Sequence, residues 1–211
     1  MMLLKPFLIT VFSFFLAISC SHVNPAVKTA DLIAGAESEL AGTVKIGFDR
    51  LFSSKLNTID VDVFFYPELN MAALVFRHEF VIYRQFWSES DRQQFLKGLI
   101  LYNNDFKKRT LLKNHRKTRE IYGKTKGLLE WETFKFARNH VSQPIIEMGY
   151  RFRGETPFFS ILMHSAKEDA RNLTNGKALE SPQINLYLTR TQADDLAELF
   201  NKCLINPVSI D

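Results

Sequence analysis

Thr58-Ile59-Asp60-Val61-Asp62-Val63-Phe64-Phe65-Tyr66 alternates apolar with acidic side chains in its first half. A period of two marks a strand with one buried and one solvated face. Ile59, Val61, Val63 and Phe65 point one way, Asp60 and Asp62 the other. Pro67-Glu68-Leu69-Asn70 follows as a turn. Leu74, Phe76, Phe80, Ile82 and Phe86 then line one face of a long second strand ending at Trp87. The two strands make a hairpin. Ser88, with Asp91 three residues on, forms a capping box that satisfies the free amides of a helix start. Phe95, Leu99, Tyr102 and Phe106 recur on one stripe of that helix, so it is expected to pack on the sheet.

The second half follows the same plan. Strands are predicted at 126–136, 145–152, 158–164 and 183–189, the second with Ile146, Met148, Tyr150 and Phe152 on one face. A closing helix runs from Arg190 to Leu204 with Ala193, Leu196, Ala197, Phe200 and Cys203 as its stripe. Setting Ser90 against Thr191 brings Trp87 opposite Leu188, Phe95 opposite Leu196 and Leu99 opposite Phe200. A strand feeding a capped helix thus occurs twice. The predicted fold class is α+β, an antiparallel β-sheet with two amphipathic helices packed on one face. The type of the segment from Val44 to Ser54 stays open, because it begins as alternation and ends at helical spacing.

The chain's 19 Phe and 6 Tyr against 9 Gly and 7 Pro exclude a low-complexity or disordered body. Its formal charge of +4 says little about partners, so the distribution of charge matters more than the sum.

At the N-terminus, Lys5 precedes the apolar run Pro6 to Leu16 and then Ala17-Ile18-Ser19-Cys20. A positive start, an apolar stretch too short to span a bilayer and small residues before a cleavage point read as an export signal. Its last four residues resemble the lipobox of bacterial lipoproteins, although Ala17 stands where leucine is usual. The resemblance covers the signal alone. It implies cleavage before Cys20, diacylglyceryl attachment to its sulfur, and a location on the periplasmic or outer-membrane side of the cell envelope. Ala17-x-Ser19 also fits ordinary secretory cleavage at the same bond. On the lipobox reading, residues 1–19 are a signal peptide, 20–42 a polar tether and 43–211 one α+β domain, with a short helix near Ala34–Leu40. An acylated Cys20 leaves Cys203 as a small buried hydrophobe; without the lipid, an exported chain could link Cys20 to Cys203.

Catalytic motifs are absent: there is no phosphate loop, no Gly-x-Ser-x-Gly elbow and no dinucleotide fingerprint. His78-Glu79 starts like a zinc-protease motif, but Ile82 stands at the fifth position. His22, His115, His140 and His164 show no metal-ligand spacing. No metal, cofactor or catalytic residue is therefore expected. Glu130 and Glu132 alternate around Trp131 and would share a sheet face, the minimum for acid/base work on a glycan, yet i, i+2 carboxylates on one strand fit a solvated face better. His164 and Ser165 are adjacent, which gives no nucleophile–base geometry.

The local anomaly is basic. Lys107, Lys108, Arg109, Lys113, Arg116, Lys117 and Arg119 fall between Asp105 and Glu120 with no acidic residue among them. On a tethered protein this run could meet anionic head groups or an acidic envelope polymer; a solvated helix end and connector explains it more simply. No nucleic-acid partner is expected, because the run has no interleaved aromatics for base stacking. The polar connector 167–182 is long enough to carry function or flexibility. The function expected from the sequence is a lipid-anchored envelope protein whose non-catalytic domain binds or scaffolds other components, including an envelope protein or acidic polymer. An exported hydrolase of an envelope polymer, or an anionic-ligand module built on residues 107–119, are the competing readings.

Overall fold

The computed structural model describes residues 25–48, 56–112, 119–133, 139–169 and 178–205, without the side chains of 25–28, 119, 133 and 205. In chain order the elements are α1 (Pro25–Ala34), β1 (Glu39–Phe48), β2 (Asn57–Tyr66), β3 (Met71–His78), β4 (Val81–Trp87), α2 (Glu89–Lys108), β5 (Arg119–Lys126), β6 (Leu128–Thr133), β7 (Asn139–Ser142), β8 (Ile145–Arg153), β9 (Thr156–Met163), β10 (Ile184–Leu188) and α3 (Arg190–Ile205). The class is α+β, with an antiparallel sheet dominating.

β2 carries the predicted alternation: Val61, Val63 and Phe65 are buried and Asp60 is exposed. It pairs with β1 on one side and β3 on the other, Val61 facing Val44 and Phe76. The Pro67–Leu69 turn ends at Asn70, whose φ of 47° places it in the left-handed region. The long second strand of the sequence reading is two strands. β3 and β4 form a tight hairpin, His78 opposite Val81, with Glu79 at φ 55° between them. His78-Glu79-Phe80-Val81 carries none of the glycine or asparagine that usually supplies such a turn, so the pattern gave no reason to break the strand. Leu74, Phe76 and Trp87 therefore join the main core, Phe86 lies in a second cluster and Phe80 is exposed at the tip.

The sheet order is β5-β8-β9-β10-β1-β2-β3-β4-β6-β7. β5 and β6 sit near opposite ends of that order, yet only Gly127 separates them in sequence. With β7 and β8 they make one long ribbon. Lys126 faces Ile145, Leu129 faces Ser142, and the Gly127 amide donates to the Pro144 carbonyl between them at 3.2 Å. One half of the ribbon joins β9 through β8 and the other joins β4 through β6, so the sheet curls toward itself as an incomplete barrel. A Cβ at Gly127 would lie 2.4 Å from Ile146 Cδ1 and 3.6 Å from the Phe86 carbonyl oxygen, which is where the ribbon changes partner.

The helices begin alike. Ser88 and Asp91 complete the capping box of α2. Before α3, the Thr189 amide donates to Gln192 Oε1 at 2.8 Å and the Gln192 amide donates to Thr189 Oγ1 at 3.3 Å, the same reciprocal device. Phe95 of α2 meets Phe159 of β9 and Phe200 of α3 edge-on, at 5.4 and 5.2 Å between centroids, and Trp87 lies 5.4 Å from Phe200. Each such pair adds about 0.5–1.5 kcal/mol beyond the area it buries. Cys203 is buried in α3, and that burial pushes its thiol pKa up.

Two boundaries differ from the sequence reading. The folded body starts ahead of residue 43: α1 occupies Pro25–Ala34 in place of the helix expected at Ala34–Leu40, and β1 begins at Glu39. Ala30 and Ile33 of α1 are buried with Ala73, Phe86, Leu128 and Val141 in a cluster separate from the main core. Two small apolar side chains, one helical turn apart, are enough to dock this stretch, and its composition alone looks like a tether. β5 and the four-residue β7 lie outside the predicted strands apart from Lys126, since the mostly polar β5 has its register broken between Ile121 and Gly123 and β7 is too short to show a period.

Gly149 is fixed more tightly still, because an added Cβ would sit 1.9 Å from the Glu120 carbonyl oxygen on the neighbouring strand. Gly149→Ala is expected to destabilise the fold by about 1–3 kcal/mol, the range for overpacking a close contact, read as a lower urea midpoint. Gly35→Ala, whose Cβ would come no nearer than 4.0 Å to its neighbours, should stay within about 0.5 kcal/mol.

Candidate functional site

The C-terminal end of α2 is held by a set of polar contacts to the strands beside it. Lys107 and Lys108 occupy the last turn, exposed, and Arg109 caps the helix at φ 57°, its amide shared between the Asp105 and Phe106 carbonyls. The Thr110 amide and hydroxyl donate to the Asp105 carbonyl at 3.0 and 3.2 Å. Asp105 itself accepts from Tyr122 of β5 at 2.6 Å. Burial and that hydrogen bond push the Tyr122 phenol well above its ordinary range. Further on, the Leu112 amide donates to the Tyr150 hydroxyl at 3.2 Å. The segment leaving the helix is thus fastened to β5 and β8.

Beside it lies a cavity of about 320 Å³, lined by Phe106, Arg109 and Leu111 from the helix end and by Phe152 and Pro157 from the β8–β9 hairpin. Tyr102 donates to the Pro157 carbonyl at 3.0 Å and holds the hairpin to α2. The Tyr102 phenol is pushed up to about 12 by burial. Arg190 places its guanidinium 4.7 Å over the Phe106 ring. Of the basic run, Arg109 lines this apolar hollow, Lys107 and Lys108 stand exposed in the preceding helical turn, and Arg119 opens β5 opposite Arg151. Lys113, Arg116 and Lys117 lie outside the described residues, as does Cys20.

The other sequence candidates are scattered. Glu130 and Glu132 do share a strand face with Arg84, which stands opposite Glu130 and lies 3.8 Å from Glu132. Glu130 is buried rather than solvated; burial first, then Glu132, raises its carboxyl pKa against the pull of Arg84. His164 belongs to a different part of the sheet, 3.4 Å from Glu147. His78 stacks on Phe48 at 4.1 Å.

The sequence reading missed one buried pair. His140 Nδ1 lies 2.8 Å from Glu168 Oε1, both side chains almost fully enclosed, and the imidazole stacks on Trp131 at 5.3 Å. Glu168 Oε2 accepts from the Leu179 amide at 3.3 Å, and the Asp169 amide donates to the Val141 carbonyl at 2.9 Å. The two ends of the connector 167–182 are thereby fixed to β7 and to each other. The strand register that sets Trp131 opposite His140 and the bridge between Ser142 and Glu168 bring these residues together. Among the described residues, no group of three or more His, Cys, Asp and Glu is placed to hold a metal ion, and no helix is long and apolar enough to cross a membrane.

Glu147 yields a pH prediction. Burial raises its carboxyl pKa, but Lys124 at 2.9 Å and His164 outweigh this and hold it below the ordinary carboxylate range. A depressed folded pKa gives stability that is present above the unfolded value and lost as pH falls through the folded one. Glu147→Gln should therefore flatten the loss of stability between about pH 5 and pH 2, measured as urea midpoints against pH.

No curated protein and no solved structure matches this chain. A family model does match, over residues 37–206 from the start of the sheet to the end of α3, and leaves α1 outside. The chain therefore belongs to the family described as Uncharacterised Treponema protein.

Proposed function

We propose that the protein is a lipid-anchored lipoprotein of the bacterial cell envelope, held by acyl chains on Cys20, whose α+β body binds or scaffolds other envelope components without catalysing a reaction. The observation that carries the reading is the placement of the signal-like stretch and Cys20 immediately ahead of the folded body. Only Ser21 to Asn24 separate the cysteine from α1. At about 3.3–3.6 Å per residue the link reaches at most roughly 18 Å, so an anchored body is held close to the bilayer. Two acyl chains give stable attachment where one is marginal.

A binding body is supported by how its chemically capable groups are used. Glu130 and Glu132 flank Arg84, His164 meets Glu147, and His140 is enclosed with Glu168. Each of these groups serves a cross-strand or loop contact. In the same reading α2 and α3 pack together on one face of the sheet, supported by the Phe95, Phe159 and Phe200 contacts, while α1 covers part of the other.

Expression of the wild type and Cys20→Ser in a bacterium that processes lipoproteins tests the anchor. The wild type should show a lipid mass increment and partition into detergent, and the variant should lose both. A wild-type chain that starts at Cys20 without added mass would refute the anchor and reopen a link between Cys20 and Cys203.

A further inference from the structure

We propose that the cavity at the end of α2 binds a small amphipathic anion, a single medium-length acyl chain ending in a carboxylate. This deepens the binding-domain half of the reading above and rests on it, and it is independent of the anchor. Among the described residues, Phe106, Leu111, Phe152 and Pro157 give the lining its apolar character, and Arg109 supplies its charge. Ligand pockets run from about 300 to 1,000 Å³, so a cavity of about 320 Å³ takes one chain or one ring and not a two-chain lipid.

Charge decides the head group. A helix C-terminus carries about half a negative charge, and Asp105 adds one more. Lys107, Lys108 and Arg109 together outweigh both. Asp105 is also occupied, accepting from Tyr122 and Thr110. The helix end beside the cavity is thus net positive, although a helix C-terminus by itself disfavours anions. Arg109 is the side chain suited to the carboxylate, because its planar guanidinium can donate two parallel hydrogen bonds to one carboxyl group. Neither half of the ligand suffices. The apolar wall offers nothing to inorganic phosphate, and an uncharged alkanol leaves Arg109 without its anion.

The test is calorimetric titration of the exported Cys20→Ser chain with decanoate, decanol and inorganic phosphate, together with Arg109→Gln and Leu111→Glu in the same background. Decanoate should bind saturably at one equivalent, with decanol and phosphate at least about tenfold weaker. Arg109→Gln should weaken decanoate about tenfold, the effect of about 1.4 kcal/mol, and leave decanol unchanged. Leu111→Glu should abolish decanoate binding with the circular dichroism of the native fold retained. The absence of saturable decanoate binding, decanol binding as tightly as decanoate, or an Arg109→Gln chain indistinguishable from its parent would each overturn the proposal. Retention on phosphatidylglycerol vesicles that decanoate fails to compete would overturn it in favour of surface contact by the basic run. An unlipidated wild-type chain would refute the anchor and leave the decanoate result standing.

Discussion

Gly127, packed against Ile146, stands where one ribbon passes from the β8 side of the sheet to the β4 side. A Cβ there would meet the end of the buried Ile146 side chain, which would have to shift to make room. Because the ribbon turns at this point, residues far apart in sequence face one interior. Trp87 of β4, Phe159 of β9 and Phe200 of α3 come within one aromatic cluster around Phe95. The same turn brings β5 alongside α2, where Thr125 Oγ1 donates to Asp91 and Tyr122 to Asp105. The ribbon that passes through Gly127 therefore contributes both to the curl of the sheet and, through β5, to the fastening of the α2 end.

Buried polar groups then make the arrangement specific. Arg92 is fully enclosed at the start of α2, donating to the Asn70 and Trp87 carbonyls and to the Asn70 side chain at 3.0, 3.1 and 2.6 Å. Its burial lowers the guanidinium pKa, and three oxygens accept from its two terminal nitrogens, which offsets part of the cost of enclosing the charge. Asn70, held in the left-handed region, supplies two of the three, so the turn between β2 and β3 fixes where α2 starts. His140 and Glu168 do the same for the connector before β10.

Local signals carried the sequence reading wherever chemistry and period coincide within a few residues. The alternation of β2, the Ser88–Asp91 box and the stripes of α2 and α3 are of this kind. The β3–β4 turn was hidden because Glu79 adopts a left-handed conformation usually taken by glycine or asparagine, at about 1–2 kcal/mol for such a residue, and nothing in its neighbours announces it. The cavity was only half visible. Arg109 stood out within the basic run, but Phe152 and Pro157 join it in the cavity through the β8–β9 hairpin, and no window of sequence holds both. His140 and Glu168 were unreadable for the same reason, since their pairing depends on the register of a four-residue strand.

Helix α1 lies ahead of the residues that define the family, and among its described side chains Ala30 and Ile33 supply the buried contact. Burial of that size contributes roughly 2–4 kcal/mol before the entropy of ordering the helix, less than the 5–15 kcal/mol typical of a whole domain. Release of α1 is therefore a cheaper motion than any opening of the curled sheet. In the proposed anchored form it would change the leash. With α1 docked the body hangs within one short link of the bilayer; with α1 released, the chain from Cys20 to Glu39 can extend to roughly 65 Å at 3.3–3.6 Å per residue. One marginal helix would then set whether the domain works at the membrane surface or well away from it.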